Sequence, residues 1–325
     1  MRWAKRVSLV ALVAVMLLGL LAPSAVAVKP LLPNEMGVRA YQYVDALSNI
    51  SPKRVAATAG EVAAAELVKG WFADAGYEAE LQPFSYVRRG VTYYSQNVVA
   101  YSPAPLKPKV SPAPLVIIGA HYDAVSAGEG ADDNASGVAV MLEIAERIAK
   151  FPRKYDLVFV AFGAEEVGLR GSAHYVSQMS EEDKARTIAM INFDSLIVGD
   201  KLYIHAGSNG LTEPRDDMLR LITLMKLPIE IQPGLNPAYP AGLTPNGFSD
   251  YTAFNQAGIP IVAFESTNWE IDDLDGYTQT EEFGSFWHTP KDDLEIIETL
   301  LPGRPMVRLA AYTELVFTYL KLLNL

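Results

Sequence analysis

Four short apolar runs constrain the fold of this chain more than any other feature of its sequence. They are residues 115–120, 157–162, 188–193 and 259–264, and each is followed within a few residues by a polar or acidic side chain. Runs of this length that are apolar throughout are typical of strands buried on both faces of a sheet. The four runs therefore predict a buried sheet core made mainly of parallel strands.

Helical patterns lie between and around these runs. Residues 138–148 place apolar side chains on one face at helical spacing, which predicts a helix packed on the sheet. Residues 35–47 predict a first helix, and residues 305–323 predict a closing helix with Pro305 in its first turn. Strand and helix thus alternate along most of the chain. We predict an α/β fold, a three-layer sandwich with a mixed, mainly parallel central sheet flanked by helices.

The segment before the first run combines a helix with two strands. Thr58 and Glu61 have the spacing of a capping box, which predicts a second helix that runs to about residue 75. Residues 78–87 and 91–101 predict two antiparallel strands joined at Gly90. A Pro-rich stretch, 102–114, predicts a surface loop before the sheet core begins.

The N-terminus has the pattern of a secretory signal peptide. Three basic residues precede an apolar run at 7–22, and the small residues of Ala-Val-Ala follow at 25–27. An uncleaved membrane anchor is the alternative, but a run of about 16 residues is shorter than the roughly 20 that a spanning helix needs. We predict a signal peptide at 1–27, one catalytic domain at 28–325, and a secreted protein without stable membrane association after cleavage.

Composition limits the chemistry and the partners. The chain contains no Cys, so it forms no disulfides and must bind any metal through His, Asp or Glu. Its net charge is −11, and loss of three bases with residues 1–27 leaves 24 Lys and Arg against 38 Asp and Glu, a net charge of −14. Such a surface repels nucleic acid and anionic lipid. We expect a monomer with no nucleic-acid partner.

Side chains that bind metals follow the predicted strands. His121, Glu165, Glu166 and Asp194 lie at or just past the carboxyl ends of three of them, while Asp133 precedes a predicted helix and His288 precedes a Pro turn. In open α/β sheets, ligand sites gather outside the carboxyl ends of the strands. Two His, three carboxylates and a spare carboxylate can supply two divalent metals, a bridging ligand and a general base.

Asp123 lies two residues after His121. A carboxylate at this distance can accept the imidazole N–H that is not used for a metal, which fixes the tautomer of the ligand. We therefore predict that Asp123 orients His121.

Together these segments resemble peptidase family M28, the co-catalytic dizinc aminopeptidases, from about Thr58 to the C-terminus. The resemblance implies the zinc-dependent exopeptidase fold and two Zn²⁺ ions per chain. It also implies that His121 and Asp194 bind one zinc, that Glu166 and His288 bind the other, and that Asp133 bridges them. Glu165 would be the general base. A cis peptide between Asp133 and Asn134 is implied as well, and the substrate would be a peptide or protein with a free N-terminus.

Other functions remain open on the sequence alone. A glutaminyl cyclase shares the fold but needs one zinc, and an inactive binding module could use the same scaffold. Many relatives have Tyr before the late His, where its hydroxyl stabilises the oxyanion, but this chain has Trp287. Tyr251 and Tyr277 are further candidates for that donor. His174 and His205 match no motif and are interpreted as structural or surface residues.

An acidic segment precedes His288 and bears on specificity. Its members are Glu270, Asp272, Asp273, Asp275, Glu281 and Glu282. Charge runs are usually solvated surface. The alternative hypothesis is that this segment lines the pocket for the first residue of the substrate and attracts Arg or Lys.

Overall fold

The four apolar runs form neighbouring parallel strands in the computed structural model, which describes residues 35–102 and 111–323. The strands are β1 (Glu78–Arg88), β2 (Val91–Tyr101), β3 (Leu115–His121), β4 (Asp156–Phe162), β5 (Thr187–Phe193), β6 (Lys201–Ala206), β7 (Ile229–Glu230) and β8 (Ile261–Thr267). They form one mixed sheet in the order β1-β2-β4-β3-β5-β8-β6-β7. The predicted signal peptide and most of the predicted Pro-rich loop lie outside the described residues.

The centre of the sheet is parallel and its margins are mixed. β4, β3, β5 and β8 are parallel neighbours, and β2 and β6 pair antiparallel on either side of them. The predicted hairpin is confirmed, since β1 and β2 pair antiparallel around Gly90. The fourth run was predicted at 259–264 but β8 starts at Ile261, because the N–H of Ile259 instead bonds the carbonyl of Phe254.

Helices cover both faces of the sheet, as predicted. They are α1 (Val38–Ser48), α2 (Ala59–Asp74), α3 (Ser136–Ile148), α4 (Arg170–Gln178), α5 (Glu181–Arg186), α6 (Glu213–Met225), α7 (Tyr251–Gln256), α8 (Leu294–Leu300) and α9 (Arg304–Leu322). Alternate residues of each central strand enter different layers: Ile191 packs in the core with α3 and α9, whereas Met190 packs in the core with α7. Within the described residues, no helix is long and apolar enough to cross a membrane.

The predicted capping box at the start of α2 is wrong in detail. Glu61 is fully buried, and its carboxylate accepts from the N–H of Ala57, the N–H of Ala164 and the hydroxyl of Ser95. The hydroxyl of Thr58 donates to the carbonyl of Val55, so it does not cap the helix. Burial, with the nearby charge of Asp123, raises the pKa of Glu61 to about 7. The Glu61 side chain therefore bonds other segments of the fold, whereas the local pattern predicted that it would cap the helix.

Two glycines allow a matched test of packing. A Cβ on Gly199 would lie 2.1 Å from the backbone nitrogen of Thr267, whereas a Cβ on Gly70 in α2 would have no atom within 4 Å. We expect Gly199→Ala to lower the free energy of unfolding by about 1–3 kcal/mol, because backbone must move to accept the methyl group. Gly70→Ala should raise it by about 0.5–1 kcal/mol, because Ala loses less entropy in a helix. Denaturant unfolding of both variants shows whether each free energy of unfolding rises or falls. A Gly199→Ala protein as stable as the parent would contradict the close approach of Gly199 to Thr267.

Candidate metal centre

Adjacent parallel strands bring the predicted ligands to one edge of the sheet. His121 is the last residue of β3 and lies opposite Phe162, the last residue of β4. Glu165 and Glu166 follow β4 by a short turn, and Asp194 directly follows β5 on the other side of β3. Neighbouring strands that end at the same level therefore present three separate segments to one space.

The six predicted side chains converge in that space. Nε2 of His121 lies 3.1 Å from Oδ1 of Asp133 and 3.4 Å from Oδ1 of Asp194. Nε2 of His288 lies 3.3 Å from Oδ2 of Asp133 and 3.1 Å from Oε2 of Glu166. Glu165 offers a carboxylate oxygen within 4.8 Å of ligand atoms of His121 and Asp194. The predicted convergence is confirmed, and the two oxygens of Asp133 face different His side chains.

The turn that carries Asp133 is fixed by hydrogen bonds. The peptide between Asp133 and Asn134 is cis, as the resemblance implies. The side chain of Asn134 accepts from the N–H of Gly137 and donates to the carbonyl of Phe193. The carboxylate of Asp292 accepts from the N–H of Asp132 at 2.6 Å and of Asp133 at 3.1 Å. Asp292 therefore connects the turn of Asp133 to the segment that carries His288.

Asp132 is directed away from the centre, as expected if its neighbour Asp133 is the bridging ligand. Its carboxylate accepts from the N–H groups of Ile197 and Val198 at 2.7 and 3.2 Å and from the amide of Gln279 at 2.6 Å. These bonds use both oxygens. Asp132 therefore braces the loop that follows β5.

The predicted contact of Asp123 is corrected by the structure. Nδ1 of His121 lies 3.1 Å from the main-chain carbonyl of Asp123 but 3.7 Å from its carboxylate, which is too long for a hydrogen bond. The carboxylate instead accepts from the N–H of Glu165 at 3.0 Å and of Glu166 at 3.3 Å. Asp123 thus holds His121 through its backbone and the two glutamates through its side chain.

The centre concentrates negative charge away from water. Burial raises the pKa of Glu165 well above its usual range, and it raises the pKa of Glu166 to about 7 with a further contribution from Asp133. Contacts with Asp133 and then Glu166 raise the pKa of His288 to about 11. Against the effect of burial, His121 and His288 hold the pKa of Asp133 below its usual range. Such a cluster favours positive charge at its middle.

The donor atoms fit divalent zinc. Ligands 2.0–2.1 Å from a tetrahedral ion lie about 3.3–3.4 Å apart. The His nitrogens and carboxylate oxygens of the centre are separated by 3.1–3.4 Å. Oε1 of Glu166 is buried without a hydrogen-bond partner among the described residues, so an acceptor is available there. His121, Asp133 and Asp194 can hold one ion, and His288, Asp133 and Glu166 can hold a second.

Ser249 also contributes to the site, through hydrogen bonds to the segment that carries Asp194. Its hydroxyl donates to Oδ2 of Asp194 at 2.6 Å and accepts from the amide of Asn192 at 2.9 Å. Asp250 is the residue before α7, and no side-chain hydrogen bond caps that helix. Ser249 therefore positions the carboxylate of Asp194.

A cavity of about 410 Å³ opens onto the centre, within the usual size range for small-ligand sites. Its acidic lining residues are Asp133, Glu165, Glu166, Asp194, Glu265 and Asp275, and its aromatic ones are Phe248, Tyr251, Phe264, Trp269, Tyr277 and Trp287. In the part of the chain that the structure describes, no Lys or Arg lines it. His205 also lines it, so it is a residue of the cavity and not of the outer surface. A cationic ligand with apolar surface suits such a lining.

The acidic segment before His288 mostly lies outside this cavity. Of its six members, only Asp275 lines the cavity, while Glu270 pairs with Lys201 at the surface. Asp272 and Asp273 are exposed. Most acidic side chains of the segment are thus solvated, as charge runs usually are, and Asp275 is its acidic contribution to the cavity.

The three candidate donors for an oxyanion differ in what they already bind. The hydroxyl of Tyr251 donates to the carbonyl of Pro245 at 2.8 Å, and Tyr277 is 60% exposed. Nε1 of Trp287 is buried and has no hydrogen-bond partner among the described residues. Trp287 and Tyr277 both line the cavity, so these two residues remain as candidate donors for a ligand.

Known proteins resemble this chain in sequence. The model of peptidase family M28 matches residues 97–310. The alkaline phosphatase isozyme conversion protein of Escherichia coli is 32% identical over 287 residues, which cover 79% of this chain and 82% of that protein. An aminopeptidase of Bacillus subtilis is 34% identical over 230 residues, which cover 67% of this chain and 44% of that protein.

Solved structures show that the fold is shared. A zinc aminopeptidase from Bacillus subtilis has a TM-score of 0.72 at 19% identity, covering 88% of this chain and 96% of that one. A glutaminyl cyclase of Fimbriiglobus ruber has a TM-score of 0.65 at 20% identity, covering 90% and 97%. Because both enzymes share it, the fold alone does not choose between hydrolysis and cyclisation.

Proposed function

The chain belongs to peptidase family M28 and is a metallo-aminopeptidase, and from that premise we propose a secreted enzyme that uses two zinc ions to remove N-terminal residues from peptides. The observation that carries the proposal is the position of Asp133. Its two oxygens lie 3.1 and 3.3 Å from the nitrogens of two different His side chains. A carboxylate placed in this way can serve two metals at once, which a site for a single zinc does not require.

The chemistry divides between the ions and the protein. Zinc, when bound, lowers the pKa of water to about 7 and polarises a carbonyl. Among the described residues, Glu165 forms no ion pair with His121 or His288, unlike the other three carboxylates of the centre, so it can accept a proton from the attacking water. The same carboxyl group can then protonate the leaving amine. The N–H groups bonded to Asp123 fix the backbone of Glu165 and Glu166 for these separate roles.

The cavity orients the substrate around the reacting bond. The acids of the centre attract the protonated α-amine, which lies one carbon from the carbonyl that is attacked. The free indole N–H of Trp287 can donate to the carbonyl oxygen as charge develops there. The acidic and aromatic lining also supports a preference for basic N-terminal residues.

Metal content and a substrate panel test the function together. We expect two zinc ions per chain, with hydrolysis of aminoacyl-anilides that is lost with a chelator and restored by zinc. A glutaminyl cyclase would instead bind one zinc and release ammonia from N-terminal Gln without cleaving a peptide bond. One zinc per chain with no anilide cleavage would refute the proposal.

Secretion rests on residues 1–27 alone. The proposal is supported by their basic start, apolar run and small residues before Val28. Mass spectrometry of the protein recovered outside producing cells should give a chain that begins near Val28, and an intact N-terminus would contradict cleavage.

A further inference from the structure

A carboxylate outside the metal centre lies in the same cavity. Glu265 belongs to β8, the strand next to β5, and the carbonyl of its neighbour Phe264 accepts from the N–H of Asp194. The side chain of Glu265 lines the cavity and is 24% exposed. It therefore lies one strand further across the sheet than Asp194, on the side towards β6.

One oxygen of this carboxylate is held and the other is not. Nε1 of Trp269 donates to Oε1 of Glu265 at 2.5 Å. Nε2 of His205 lies 2.9 Å from the same oxygen, but without the alignment of a hydrogen bond. Oε2 accepts no hydrogen bond from the side chains or backbone that the structure describes. The indole thus fixes the carboxyl group while its second oxygen remains available to a ligand.

Polar groups of the described residues surround Glu265, but none of them is a permanently charged cation. Among the described residues, no Lys or Arg pairs with it. His205 is 1% exposed, and its Nδ1 has no hydrogen-bond partner in the same part of the chain. A buried polar group without a partner is costly, so this end of the cavity is suited to a ligand that can hydrogen-bond.

Aromatic side chains line the cavity that Glu265 shares with the metal centre. They include Phe248, Trp269 and Tyr277, and the rings of Tyr277 and Trp287 lie 5.8 Å apart. Apolar walls that lead to a fixed carboxylate match a side chain with a long aliphatic stem and a cationic tip. Aromatic faces add a favourable interaction with that charge.

We propose that Glu265 is the specificity-determining residue of the enzyme and binds the cationic tip of an N-terminal Arg or Lys side chain. The inference rests on the proposed function, because the ligand is the first residue of the substrate. The α-amine is a different cation, and it must stay beside the carbonyl that is hydrolysed. Asp133, Glu165 and Glu166 lie with His121 and His288 at the metal centre, whereas Glu265 is on β8 beside His205 and Trp269.

The test compares Arg-anilide and Leu-anilide turnover in zinc-loaded protein. Glu265→Gln keeps an oxygen for the indole of Trp269 but removes the charge. We expect the ratio of kcat/KM for Arg over Leu to fall about 10- to 100-fold, mainly through KM for Arg, since a charged hydrogen bond is lost at a partly buried site. Glu265→Asp should recover part of the ratio. Asp272→Asn, the same chemical change at an exposed residue outside the cavity, should leave the ratio unaltered.

A binding measurement separates this inference from the proposed function. Calorimetry with arginine amide and leucine amide on chelator-treated protein should show weaker arginine amide binding to Glu265→Gln and similar leucine amide binding to both proteins. Parent protein that cleaves no anilide but shows this difference would refute the proposed hydrolysis and support Glu265 as the binding residue. An unchanged ratio with unchanged arginine amide binding would overturn the inference while the hydrolysis stands. An equal loss for Arg and Leu would also overturn it, because it would place Glu265 at the α-amine or in the support of the fold.

Discussion

A Glu165→Gln protein is expected to bind two zinc ions and to lose about 10²–10⁴-fold in kcat. The amide has the size of the carboxylate, and the N–H groups of Glu165 and Glu166 that hold the turn remain bonded to Asp123. The ligand contacts of His121 and His288 with Asp133 are also retained. What disappears is the basic oxygen that accepts a proton from water and later returns it to the leaving amine.

The adjacent residue supplies the matched control. Glu166→Gln makes the same chemical change one position along, but Oε2 of Glu166 lies 3.1 Å from Nε2 of His288. We expect this variant to lose zinc from one of the two positions, so the pair separates proton transfer from metal binding. Zinc content and anilide turnover are measured on both proteins. Parental turnover in a Glu165→Gln protein that holds two zincs would remove Glu165 from the mechanism.

The sheet and the ligand set were predictable because both depend on local sequence. Three of the four apolar runs end within one residue of the end of their strand, so His121 and Asp194 could be placed at the sheet edge from the residues before them. Parallel neighbours then bring these ends together without further information. The resemblance added the late His and the assignment of Asp133 as the bridging ligand, and the geometry agrees with both.

The supporting contacts were not predictable because they join segments distant in the chain. The carboxylate of Asp123 bonds backbone 42 and 43 residues away, and that of Asp292 bonds backbone 159 and 160 residues away. Nothing in the sequence near either Asp marks such a partner. The capping box failed for the same reason, since Glu61 bonds Ala164 across 103 residues.

Glu265 shows how a strand boundary can conceal a functional residue. The fourth apolar run was predicted to end at residue 264, which left Glu265 as a polar residue after a strand. In the structure β8 continues to Thr267, so Glu265 is a strand residue whose side chain must lie on one face of the sheet. Ala263 and Glu265 share a face and both line the cavity, as does His205, which pairs with Ala263 on the neighbouring strand β6. Because β8 ends three residues later than predicted, Glu265 is a cavity residue and not an acid in a loop.

Asp133→Asn should remove both zinc ions and lower turnover at least as much as Glu165→Gln, by about 10³-fold or more. Among the described residues, this carboxylate is the one group that pairs with both His121 and His288, and an amide offers a single neutral oxygen. Two cations held close together need shared negative charge between them. Loss of that charge weakens both positions, whereas loss of Glu166 or Asp194 weakens one.

Stability provides a second measurement for the same variant. A ligand that binds only the folded state at 1,000 times its Kd stabilises that state by about 4 kcal/mol, so zinc should raise the unfolding temperature of the parent protein. We expect this zinc-dependent rise to be nearly absent in Asp133→Asn and to persist in Glu165→Gln, which is the matched control because it is inactive with its metals in place. Zinc titration followed by thermal unfolding measures both proteins. Two tightly bound zincs in Asp133→Asn, with the parental rise in unfolding temperature, would show that the ions do not share Asp133 and would leave two separate sites as the remaining arrangement.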